Sequence, residues 1–164
     1  MALAPPPEQK PEWDIAVWID TVVVGGMSVG GHGAFMVRTR VGDIFRIESG
    51  PVPIEGSPLP EFFGGSWNNV SVRQQRTWGS NNPAAVQDWH LTGVDLCDTV
   101  DRMLGVAGDK ERTESNTNRY YATGPNSNTT LSEIFRETKV PVPLWRLLFY
   151  RLPFPWTPLP GWVG

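Results

Sequence analysis

The sequence predicts an α+β domain in which an antiparallel sheet comes first, two helices follow, and Pro-rich arms flank both ends. Three observations carry this. Runs rich in β-branched and aromatic residues occupy the first half of the chain, at Trp13–Val24, Ala34–Thr39 and Ile44–Glu48. Helical spacing of apolar residues comes later, at Val94, Cys97, Val100 and Leu104 and again at Leu131, Ile134 and Phe135. The prolines gather at the ends, with Pro5, Pro6, Pro7 and Pro11 before the first strand and six more from Pro141 to Pro160. The boundaries that follow are an N-terminal arm over 1–12, one domain over 13–139 and a Pro/Trp-rich C-terminal arm over 140–164.

Trp13–Val24 ends at Gly25-Gly26 and reads as a strand. Gly25–Gly33 reads as a glycine-rich turn. The next two β-prone runs enclose Arg40-Val41-Gly42-Asp43, a break suited to a hairpin. With Val41 and Gly42 at its tip, Phe35 lies opposite Glu48 and Ala34 opposite Ser49. His32 then shares a face with Ala34, Met36, Ile47 and Ser49, and Glu48 points the other way. From Gly50 to Ala85, Gly, Pro, Ser and Asn dominate, so loop is expected, with an edge strand at Val70–Val72. Thr92 to Leu104 reads as an amphipathic helix capped near Thr92 and stopped by Gly105 and Gly108. A second helix begins near Asn128, where Thr130-Leu131-Ser132-Glu133 fits a capping box and Ser127 or Asn128 would serve as caps as well.

Composition narrows the function classes. A length of 164 residues suits one domain, and 40% apolar residues can bury a core despite 17 glycines and 16 prolines. A net charge of −3 gives no electrostatic footprint for nucleic acid or an anionic membrane. The single cysteine, Cys97, excludes an internal disulfide and a four-cysteine zinc site. On the apolar face of its helix it reads as a small buried hydrophobe. His32 and His90 lie far apart with no short-spaced acid set, so no metal site is expected. No cofactor is expected either, because Gly25–Gly33 lacks both the phosphate-loop lysine and the dinucleotide glycine spacing. The opening residues lack the basic and apolar stretches of a secretory leader, which leaves the compartment open. Prolines, Arg146 and Arg151 interrupt the apolar C-terminal stretch, so no membrane-spanning helix is expected there.

Two serines invite a nucleophilic reading. Gly26-Met27-Ser28-Val29-Gly30 follows Val22-Val23-Val24 and resembles the nucleophile elbow of α/β-hydrolase esterases, whose run continues as Gly31-His32-Gly33-Ala34 does here. That reading requires a parallel sheet and a strand-to-helix turn at Ser28. Ser127 stands just before the second helix, where backbone N–H groups converge and would stabilise an oxyanion. His32 is the natural base for it at neutral pH.

Gly124-Pro125-Asn126-Ser127-Asn128-Thr129, with the aromatic pair Tyr120-Tyr121 upstream and a Pro160-Gly161-Trp162 ending, resembles a family of small bacterial domains. These occur as stand-alone proteins or at the ends of RHS-type and haemagglutinin-like secreted proteins. The resemblance extends over Gly25 to Gly164 through a Gly31-His32 before a hairpin and an acidic helix before the Asn-Ser-Asn motif. That family is similar to permuted papain-like (NlpC-type) domains, in which a strand histidine meets a cysteine at a helix start. The resemblance implies a permuted papain-like fold, with His32 as the histidine, Ser127 at the cysteine position, and Asn126 or Asn128 as the third group. It also implies a degenerate or serine-using amide or ester hydrolase, since a hydroxyl is a far poorer nucleophile than a thiol.

The competing reading is a non-catalytic subunit. Trp145, Phe149, Trp156 and Trp162 are residue types enriched in interface hot spots, and prolines between them reduce the entropy lost on docking. A protein partner bound through the C-terminal arm follows from that reading.

Overall fold

In the computed structural model, residues 12–24, 27–83, 85–121 and 126–140 are described. They form strands β1 (Trp13–Val24), β2 (Met27–Arg38), β3 (Ile44–Pro53), β4 (Phe63–Gln75), β5 (Val86–Gly93) and β6 (Arg119–Tyr121), with helices α1 (Cys97–Thr113) and α2 (Ser127–Thr138). The strands make one antiparallel sheet in the order β5-β1-β2-β3-β4-β6. The α+β class with two helices therefore holds. The arms, apart from Glu12 and Val140, lie outside the described residues.

The sheet has two unlike faces because each strand alternates. Ile15, Val17 and Ile19 of β1, Phe35 and Val37 of β2, and Ile47 of β3 are buried in one cluster with Val100, Met103, Ala107, Leu131, Ile134 and Phe135 of the helices. This is the helix face, and the Phe35 and Phe135 rings meet edge to face at 4.4 Å. The opposite, outer face carries Asp14, Ala16, Trp18 and Asp20 of β1 against Arg38, Met36, Ala34 and His32 of β2. Residues 76–83 cross this face as a strap. Arg38 lies 4.7 Å over the Trp78 ring, Gly79 N donates to Met36 Sδ, and Ser80 Oγ donates to Asp20.

Several elements differ from the sequence expectation. The expected turn at Gly25–Gly33 is mostly strand, because β2 begins at Met27 and pairs with β1 from Met27↔Val24 onward. The expected loop from Gly50 to Ala85 holds the whole of β4, which pairs with β3 from Ile44↔Gln75 to Pro53↔Ser66. Long cross-strand pairing there overrides weak intrinsic preference. Thr92 ends in β5 rather than capping a helix, and a 3₁₀ turn at Val94–Leu96 separates it from α1. Cys97 is thus the first residue of α1, not a mid-helix residue. The helix runs through Gly105 and Gly108, each costing about 1 kcal/mol, because Val100, Met103 and Ala107 bury its inner side.

The hairpin register also differs. Ala34 faces Glu48 and Phe35 faces Ile47, one residue from the expected pairing. The tip explains the slip. Gly42 N donates to Thr39 O, Thr39 N donates to Asp43 O, and Gly42 takes φ +92°, so the loop holds three residues and ends in a glycine bulge. A one-residue slip exchanges the faces of every side chain on β3.

Candidate functional site

The α2 N-terminus is a closed cap. Asn126 is extended, and its Oδ1 accepts from Asn128 N at 3.0 Å and Thr129 N at 3.2 Å, while its carbonyl accepts from Thr130 N. The Tyr120 phenol lies beside Ser127. Burial pushes the Tyr120 phenol up, and the polar groups of Ser127 pull against it. Ser127 itself is 3% exposed. Of the first-turn amides that an oxyanion would need, those of Asn128, Thr129 and Thr130 are engaged within the chain.

Asn128 serves the sheet. Its Oδ1 accepts from Gly33 N at 3.3 Å, and a Cβ on Gly33 would lie 2.5 Å from Leu131 Cδ1. Glycine at 33 is therefore what lets α2 sit directly on β2. Beside it, Asn68 Nδ2 donates to Thr130 Oγ1 at 3.2 Å, and Ser49 is fully buried on the same face.

His32 belongs to the other face. Since Gly33 faces α2, alternation along β2 turns His32 outward, where Asp20 lies opposite on β1. The structure brings Asn126, Ser127 and Asn128 together at the α2 cap and does not bring His32 to them. What His32 meets is Glu48, with Nε2 3.7 Å from Oε2. The expectation that Glu48 points away from the His32 face is thus corrected, and the cause is the glycine bulge at Gly42.

Glu48 continues into a charged chain. Arg46 Nε donates to Glu48 Oε2 at 2.7 Å, Arg46 Nη2 donates to Asp20 Oδ2 at 2.9 Å, and Ser80 Oγ donates to Asp20 Oδ1 at 2.9 Å. His32 holds the Glu48 carboxyl down at about 2, burial opposes this, and Arg46 adds to it. Burial would lower Arg46, but Glu48 and Asp20 more than offset it and raise its pKa. A second cluster lies alongside, where His90 Nε2 stands 2.8 Å from Asp14 Oδ1 and Arg38 Nε 3.0 Å from Asp14 Oδ2. Arg46 and Asp14 are at least nine-tenths buried, so these groups act first as a clamp under the 76–83 strap.

Ser28 lies within β2, paired with Val23 in an antiparallel sheet. No strand-to-helix turn follows it, so the α/β-hydrolase reading is corrected. Trp145, Phe149, Trp156 and Trp162 lie outside the described residues. Sequence reasoning missed Tyr120 and Glu48. The Thr39-Arg40-Val41-Gly42-Asp43 pattern, with glycine in the position that favours positive φ, was the signal for the second.

No helix among the described residues is long and apolar enough to cross a membrane. Among known proteins, no family model, no curated protein and no solved structure matches this chain.

Proposed function

We propose that this chain is a non-catalytic interaction domain that binds a protein partner through Trp145, Phe149, Trp156 and Trp162 of its C-terminal arm. On the permuted papain-like scaffold that its Asn126-Ser127-Asn128 motif resembles, it would be a degenerate member. The observation that carries this is the closed α2 cap: Ser127 is buried, and Asn126 takes the neighbouring amides. Hydrolysis at Ser127 would need those amides free and a base beside the hydroxyl. The base expected there, His32, pairs with Glu48 instead.

Treatment of the full chain with a fluorophosphonate probe, followed by peptide mass spectrometry, tests the reading. The expected result is no adduct on Ser127. An adduct on Ser127 that disappears in Ser127→Ala would restore the hydrolase reading.

A further inference from the structure

Beneath the start of α2, the helix face of the sheet carries two buried polar side chains among apolar ones. Ser49 is 0% exposed and Asn68 5%, and Ile47, Val70 and Leu131 are buried beside them. Register makes the two polar residues neighbours. Ser49 faces Val70 across β3 and β4, and Asn68 lies two residues from Val70 on the same strand and the same face. Such diagonal pairs have Cα atoms about 7 Å apart, with side chains leaning over the same patch.

Each of the two holds a polar atom that the protein does not pair. Ser49 Oγ and Asn68 Oδ1 are sealed from solvent, and neither has a hydrogen-bond partner among the described residues. A buried polar atom left in that state costs the fold its desolvation penalty in full, and native folds meet such atoms with protein groups or with ordered water.

The polar groups nearby are already paired. Asn68 Nδ2 donates to Thr130 Oγ1, Thr130 Oγ1 donates to the Asn126 carbonyl, and Asn128 Oδ1 accepts from Gly33 N. Turning the Asn68 amide over only exchanges which of its two polar atoms is unpaired.

A partner for this pair has to satisfy an amide and a hydroxyl at once. An anion fails, because Asn68 Oδ1 only accepts and the amides of Asn128, Thr129 and Thr130 are engaged within the chain. A metal ion fails as well, since no group of His, Cys, Asp and Glu side chains among the described residues is placed to hold one. Water fits. It donates one O–H to Asn68 Oδ1 and bonds Ser49 Oγ with its second proton or a lone pair, each at about 2.8 Å.

We infer that the fold binds one internal water between Ser49 Oγ and Asn68 Oδ1, as a fixed part of the seat of α2. That helix is tied to β2 through Asn128 and Gly33 and to β4 through Thr130 and Asn68. The water adds β3, the strand between them, through Ser49. Ser49→Ala releases the water, and the freedom the water regains offsets the bonds it gives up. The water itself, rather than stability, is therefore what that substitution reads.

A crystal structure of the full chain locates the water, and oxygen-17 relaxation dispersion counts those that outlast molecular tumbling. The expected result is a density peak within hydrogen-bond distance of both Ser49 Oγ and Asn68 Oδ1, and one fewer long-lived water in Ser49→Ala than in the wild type. Asn68→Leu, close in size, removes the other anchor and should show the same loss. If that variant does not fold, Ser49→Ala decides alone. A wild-type crystal structure with no density between the two atoms overturns the proposal, and so does a Ser49→Ala variant that keeps every long-lived water.

Discussion

Glu48 faces Ala34 across the β2–β3 ladder, and that pairing turns its carboxylate toward His32, 3.7 Å away, on the face of the sheet that the helices leave open. The imidazole expected to serve Ser127 is thereby committed to a charged chain of Glu48, Arg46 and Asp20. Ser127 lies buried on the other side, at the start of α2.

The first prediction concerns acid stability. Glu48 is held at about 2 in the fold against an ordinary 4.5, so its contribution is present above about 4.5 and lost as pH falls toward 2. Discounted for partial exposure, that contribution is about 1 to 2 kcal/mol. Urea denaturation at about pH 5 and about pH 2.5 should therefore show a larger acid loss in the wild type than in Glu48→Gln. Equal losses would remove Glu48 from the account.

The α2 cap makes the second prediction. Asn126→Ala removes the acceptor for two amides and should cost about 1 to 2 kcal/mol in chemical denaturation. Ser49→Ala should cost nothing, because Ser49 Oγ is buried with no hydrogen-bond partner among the described residues. A Ser49→Ala loss as large as that of Asn126→Ala would contradict this ranking.

Gly33 gives a packing test. An added methyl would meet Leu131 Cδ1 at 2.5 Å and Asn128 Oδ1 at 3.2 Å, with Leu131 fully buried. Gly33→Ala should lower stability by about 1 to 3 kcal/mol through overpacking. Combining it with Leu131→Val should recover part of that loss, as a thermal melt would show.

Lys110 joins the helices. Its ammonium lies 2.9 Å from Glu114, 3.1 Å from Glu133 and 3.3 Å from Glu137; burial would lower its pKa, but Glu114 and Glu133 raise it. Lys110→Ala should cost about 2 kcal/mol, since three glutamates then face one another across α1 and α2. The exposed pair of Arg112 with Asp109 lies on the same helix, and Arg112→Ala should leave the unfolding midpoint unchanged.

Much of this fold was legible where one force dominated. Trp13–Val24 and the core side of α2 are strongly patterned, and both elements stand where the pattern puts them. β4 was not legible, because Gly64, Gly65, Asn68 and Asn69 read as loop and only their pairing with β3 makes them strand. Gly105 and Gly108 looked like helix stops, yet burial of Val100, Met103 and Ala107 carries α1 past them. For the site, Asn126, Ser127 and Asn128 were legible as a helix start. The side on which His32 lies with respect to Glu48 turned on a single residue of hairpin loop, which the apolar pattern does not count.

The separation of His32 from Ser127 is the centre of the account, and NMR of the His32 ring tests it most directly. The ring resonances should stay in place in Ser127→Ala and move in Glu48→Gln, because Glu48 is the neighbour that His32 meets. Resonances that move with Ser127→Ala and ignore Glu48→Gln would place the imidazole at the serine and contradict the account.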